Sequence, residues 1–126
     1  MKQHAPGFLA LVEDAKSRVR EIEVTAFLAL RDGADAPALI DVREDHEWAQ
    51  AHATDALHLS KGIIERDIEE RFPDHDTPLV LYCGGGFRSA LAADALQRMG
   101  YRNVLSLAGG WRAWQAAGAP IATPER

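Results

Sequence analysis

Residues 78–89 constrain this chain more than any other stretch. Pro78-Leu79-Val80-Leu81-Tyr82 is an apolar run of strand length, rich in branched and aromatic side chains, and reads as a buried strand. From Ser89 to Met99, the residues Leu91, Ala92, Ala95, Leu96 and Met99 recur at helical spacing. Between the two stand Cys83-Gly84-Gly85-Gly86-Phe87-Arg88, so the only cysteine sits on the turn from a buried strand into a helix. Consecutive glycines let such a turn coil tightly, because glycine adopts positive φ without steric cost. A turn of this kind can aim successive amide N–H groups at one point, and the helix N-terminus behind it adds partial positive charge. Arg88 adds a full one. A thiol in that position is expected to be a reactive thiolate rather than a buried structural cysteine.

The rest of the chain alternates apolar strand runs with helical stretches. Phe8, Leu11, Val12, Ala15, Val19 and Ile22 fall on one helical face, which predicts an amphipathic N-terminal helix ending near Arg20. An exposed stripe of that length is a liability, so packing on the domain is expected ahead of dimerisation or partner docking. Residues 1–22 are accordingly read as a helical extension and 23–126 as the domain. Glu21-Ile22-Glu23-Val24 suits a short strand, and Thr25 can cap a helix through Leu30. Ala38 to Val42 is an apolar strand entering the charged turn Arg43-Glu44-Asp45-His46-Glu47, with a helix around Trp48 to Ala51. Ala56 to Leu59 reads as a strand, and Ser60 as the cap of a helix reaching Phe72. Asn103 to Leu107 is a further strand, and Trp111 to Ala117 a last helix ended by Gly118 and Pro120. The alternation implies an α/β fold, a mostly parallel sheet covered on both faces, with ligands beyond the carboxyl ends of its strands. The Cys83 turn lies at such an end.

Composition narrows the function. A chain of 126 residues, 47% hydrophobic, has material for one core. Its net charge of −5 argues against nucleic acid or an anionic membrane as partner, since both need a basic face. One cysteine makes no internal disulfide, no signal-peptide pattern opens the chain, and no segment has the length of a membrane span. A cytoplasmic protein is the expectation. The histidines show no metal-ligand spacing, and neither a metal nor another cofactor is expected.

A cysteine in an anion cradle serves phosphoryl transfer or sulfur transfer. Tyrosine phosphatases carry Cys-x5-Arg around a tetrahedral phosphate, whereas here the spacing is Cys-x4-Arg, a shorter ring suited to one terminal sulfur. Phosphatases of that type also need a carboxylic acid for the leaving group, for which Asp41 and Asp74 are candidates. An arsenate reductase using the same cradle, and a non-catalytic interaction module, are the further alternatives. Several motifs in order resemble the rhodanese-like (thiosulfate sulfurtransferase) domain over about Glu23 to Ile121. They are Leu39-Ile40-Asp41-Val42-Arg43-Glu44, His52 with Ala56, Leu81 to Ser89, and Leu107-Ala108-Gly109-Gly110-Trp111 with Trp114 and Ala117-Gly118-Ala119-Pro120.

The resemblance implies a five-stranded parallel sheet with helices on both faces, here preceded by an extra N-terminal helix. It makes Cys83 the persulfide-forming nucleophile, with the amides of Gly84, Gly85, Gly86, Phe87 and Arg88 cradling the sulfur and the Arg88 and Ser89 side chains bracing the loop. The implied donor is a small sulfur-containing anion such as thiosulfate, or a protein persulfide; the implied acceptor is cyanide or a thiol. Two departures stand out. The turn usually written Gly-His-Ile-Pro-Gly-Ala is Ala51-His52-Ala53-Thr54-Asp55-Ala56, and positions 84 and 85 are glycine where some thiosulfate-using members carry basic residues.

Around this centre, Lys61, Arg66 and Trp111 are expected at the pocket rim. His52 is expected to hydrogen-bond its own turn, and Asp41 with Arg43 to form a turn-bracing ion pair.

Overall fold

Each apolar run supplies one short strand, and the helical stretches between them return the chain so that the strands run parallel. The computed structural model describes residues 4–123; residues 1–3, which open the expected extension, and 124–126, which close the expected domain, lie outside these. The elements in chain order are α1 (Pro6–Lys16), β1 (Arg20–Ile22), α2 (Val24–Leu30), β2 (Ala38–Asp41), α3 (Asp45–Gln50), β3 (His52–Ala53) and β4 (Leu57–His58). They continue with α4 (Ile64–Arg71), β5 (Leu79–Tyr82), α5 (Phe87–Arg98), β6 (Val104–Leu107), α6 (Gly110–Ala116) and β7 (Ile121–Ala122). The main sheet has five strands in the order β1-β6-β5-β2-β4, every neighbouring pair parallel. No helix among the described residues is long and apolar enough to cross a membrane.

β5 lies at the centre of the sheet and is buried on both faces, which is why its sequence is a continuous apolar run rather than an alternating one. Its side chains still alternate between two cores. Leu79, Leu81 and Cys83 join Ile64 and Ile68 of α4 and Ala92, Ala93 and Leu96 of α5. Val80 and Tyr82 join Val24 and Phe27 of α2 and Trp114 of α6. The period of two in a strand thus sorts one run of residues into both layers of the fold.

Several boundaries differ from expectation for local reasons. α3 starts at Asp45 because Glu44 and Glu47 form a reciprocal capping box. α2 begins at Val24 with Glu23 at its N-cap, so Thr25 lies inside the helix and caps nothing. The carbonyl of Ser60 accepts the amides of Ile63 and Ile64 in a turn, which delays α4 to Ile64. α5 begins two residues early, at Phe87, and so draws Phe87 and Arg88 into helical geometry. β3 and β7 form a two-stranded antiparallel ladder, His52 opposite Ala122 and Ala53 opposite Ile121; two residues are too few for a periodic signal.

α1 stops at Lys16, short of Arg20, and packs against α5. Val12 and Ala15 are buried there, while Leu11, expected on the same face, is 61% exposed. The connection to β1 is tied down by Arg18, whose Nε and Nη2 each donate to Asp94 of α5 at 2.9 Å. That guanidinium holds the Asp94 carboxyl below the usual carboxylate range.

Candidate active site

The site is assembled where β5 ends. Cys83 Sγ accepts the Gly86 N–H at 3.2 Å and lies 3.5 Å from Ser89 Oγ, which shares a 2.8 Å hydrogen bond with Ser106 Oγ on β6. Gly86 has φ +99°, a conformation that a side chain would strain, and this turn folds the loop back over the sulfur. The amides of Gly84, Gly85, Phe87 and Arg88 find no protein acceptor among the described residues, as expected for a turn and first helical turn that face a ligand.

A second glycine turn supports the loop from beneath. The Trp111 N–H donates to Cys83 O at 2.7 Å, and the Arg112 N–H to Gly84 O at 3.2 Å. The approach is so close that a Cβ on Gly110, whose φ is +54°, would stand 2.3 Å from Cys83 O. Gly109-Gly110 is therefore a requirement of the cysteine loop as much as a helix start.

Cys83 is 1% exposed, yet it forms part of the wall of an open cavity of about 730 Å³. Gly84, Gly85, Phe87 and Arg88 line that cavity with it, whereas Gly86 and Ser89, which contact the sulfur, do not. Trp111 and Arg112 of α6 form one side, Arg43 and the start of α3 another, and His4 and Phe8 of the N-terminal segment a third. Of the three residues expected at the rim, Trp111 is there. Lys61 and Arg66 do not line the cavity: the Lys61 amide is bonded to Val42 O, and the Arg66 side chain pairs with Asp67 on the exposed side of α4. Among the described residues, no three His, Cys, Asp or Glu side chains converge to hold a metal.

Arg88 is fixed by a residue that sequence reasoning did not single out. Its Nη1 and Nη2 donate to Glu47 Oε2 and Oε1 at 2.8 and 3.1 Å, a two-point pair between α5 and α3. In the sequence Glu47 closes a charged turn, and nothing there names Arg88 as its partner. The Arg88 guanidinium holds Glu47 down to about 2, and Glu47 in turn raises Arg88. A carboxyl depressed in the folded state contributes stability above its ordinary value of 4.5, lost as pH falls towards about 2. Glu47→Gln is therefore expected to flatten the loss of stability between about pH 5 and about pH 2, and to cost about 1 kcal/mol at neutral pH for this partly exposed pair. Urea unfolding midpoints measured across that range check both.

Asp41 and Arg43 do form a pair at the turn, buried and bidentate, with Arg43 Nη2 2.8 Å from Asp41 Oδ2. Arg43 also lies 4.6 Å from the centroid of the Trp111 ring, so the pair orients that cavity wall. The His52 ring stacks on Trp48 with centroids 3.4 Å apart, and its Nδ1 is 3.1 Å from Trp48 O, within its own turn.

This loop, closed on one cysteine and backed by a Gly-Gly-Trp turn, can be set beside known proteins. The rhodanese-like domain family matches residues 23–117, three quarters of the chain. The chain belongs to that family. Among relatives of this rhodanese-like protein, thiosulfate sulfurtransferase GlpE of Actinobacillus pleuropneumoniae serotype 7 is 33% identical over 71% of the chain and 81% of the relative. A sulfurtransferase of Allochromatium vinosum is 41% identical over 69% and 79%. Among solved structures, a protein of unknown function from Rhodopseudomonas palustris, described as a possible tyrosine phosphatase, superposes with a TM-score of 0.83 at 30% identity. It spans 97% of this chain and 99% of its own. That likeness extends over α1, which the family match does not.

Proposed function

We propose that this rhodanese-like protein is a sulfurtransferase that carries sulfane sulfur as a persulfide on Cys83, with residues 23–126 as the catalytic unit and 1–22 as an extension whose α1 packs on that unit and whose β1 adds an edge strand to its sheet. The observation that carries the reading is that Cys83 lines an open cavity, its Sγ accepting the Gly86 N–H, at the head of a loop whose Gly84, Gly85, Phe87 and Arg88 amides have no protein acceptor among the described residues. In the first half-reaction the Cys83 thiolate attacks the outer sulfur of thiosulfate. The S–S bond of the donor breaks with its electron pair leaving on sulfite, and Cys83 becomes a persulfide anion. In the second, cyanide or a thiolate attacks the terminal sulfur, taking it as thiocyanate or a new persulfide and restoring the Cys83 thiolate. The covalent intermediate predicts ping-pong kinetics.

A phosphatase reading finds less support. Arg88 is committed at two points to Glu47, which leaves it poorly placed to wrap a phosphate. Asp41, one candidate acid, is bound to Arg43 in the core, and Asp74, the other, does not line the cavity. Incubation with thiosulfate followed by intact mass is the test. One added sulfur atom, removed by cyanide and blocked by prior alkylation, is the expected result. Hydrolysis of an aryl phosphate with no sulfur adduct would replace this reading with the phosphatase one.

A further inference from the structure

Among the described residues, the arginine and lysine side chains in or beside the cavity wall are Arg43, Arg88, Lys16 and Arg112, and the first three are already matched. Arg43 is paired with Asp41 and Arg88 with Glu47. Lys16 lies over the Phe87 ring and 3.8 Å from Glu21. Arg112 has no carboxylate partner among the described residues. Its backbone is fixed by the hydrogen bond from its N–H to Gly84 O, and its exposed side chain borders the cavity. The space above the two bare loop positions is where these guanidiniums sit. A Cβ on Gly84 would meet Arg88 Nη2 at 3.2 Å, and one on Gly85 would meet Arg112 Nη1 at 3.9 Å. The two bare loop positions thus lie beneath an arginine of the loop itself, paired with Glu47, and an arginine of α6 with no carboxylate partner among the described residues. In a chain of net charge −5, such a local cation adds to the loop amides in drawing an anion in.

We infer that Arg112 binds the anionic end of the sulfur donor, an oxyanion group of the sulfonate class, over Gly85 and beside Cys83. The inference rests on the sulfurtransferase reading for the identity of the ligand, but not for the charge preference of the site. Because Cys83 is the only cysteine, alkylation rates report on this site alone. Iodoacetate and iodoacetamide differ in charge at nearly equal size, so the ratio of their rates measures the pull on an anion. Arg112→Gln is expected to lower that ratio about tenfold while moving the iodoacetamide rate less than about twofold, and Arg112→Lys to keep most of it. The same Gln variant is expected to raise KM for thiosulfate about tenfold with kcat changed less than about twofold. A ratio and a KM that Arg112→Gln leaves unmoved, in a protein that does transfer sulfur, would overturn the assignment and spare the sulfurtransferase reading. A protein inert to thiosulfate whose preference for iodoacetate still vanishes in Arg112→Gln would do the reverse.

Discussion

Cys83→Ala should remain folded and lose sulfur transfer by a factor of about 10⁴ or more, because every step of the proposed cycle forms or breaks a bond at Sγ. Serine should not rescue it. Its hydroxyl fits the same hydrogen bonds, to the Gly86 N–H and Ser89 Oγ, so Cys83→Ser tests chemistry at nearly constant structure. An alkoxide is far less available at neutral pH than a thiolate, and an oxygen–sulfur bond is a poor store for a transferable sulfur. The fold should tolerate either change. Alanine removes one sulfur from a site that borders a cavity, and the Gly86 N–H it frees can turn to water, at a cost of about 1 kcal/mol. Steady-state rates with thiosulfate and cyanide, read beside the thermal midpoints, separate the two effects. Residual transfer within about tenfold of the parent would place the nucleophile elsewhere, and the cysteine loop would lose its proposed role.

How much of this was legible before the structure depends on how local each signal is. The strand, glycine turn and helix around Cys83 are contiguous, and they read correctly because an apolar run, a positive-φ residue and a helical period are properties of neighbours in sequence. Glu47 was legible only as the end of a charged turn. Its bond to Arg88 joins residues 41 apart, and no local pattern names a partner at that distance. The same holds for Arg18 with Asp94, and for His4 and Phe8, which reach the cavity only because α1 packs on α5. Leu11 shows the opposite failure: helical spacing put it on the buried face, but the line of contact with α5 runs through Val12 and Ala15. Periodicity locates a face to within about one residue's width, and the neighbour decides the rest.

The largest loss of stability is expected from Asp41→Ala, about 3 to 5 kcal/mol. Asp41 is fully buried at the end of β2, beside β5. One carboxylate there serves two otherwise stranded groups. It accepts from Arg43 Nε and Nη2 and from the Tyr82 hydroxyl, the last at 2.7 Å. Tyr82 in turn accepts the Ala53 N–H at 3.1 Å, and Arg43 Nη2 donates to Ala51 O at 2.7 Å, so the network holds the segment around β3 against the sheet. Burial works against the Arg43 charge and Asp41 more than offsets it, leaving Arg43 raised; burial and the same carboxylate push the Tyr82 phenol up. Removing Asp41 leaves a guanidinium whose side chain is only 4% exposed without its paired carboxylate, and a phenol without its acceptor. That is why the expected cost exceeds the roughly 1 kcal/mol typical of an exposed ion pair. Asp41→Ala with Arg43→Met should recover part of the loss, since the double change removes the stranded charge along with its partner. The single variant should also disturb the cavity, because Arg43 lies against the Trp111 ring and α6 carries Arg112 in the next position. Urea midpoints at constant m-value test the energetics. A single-variant loss below about 1 kcal/mol, or no recovery in the double variant, would mean that water already reaches this network and that it does not brace the site.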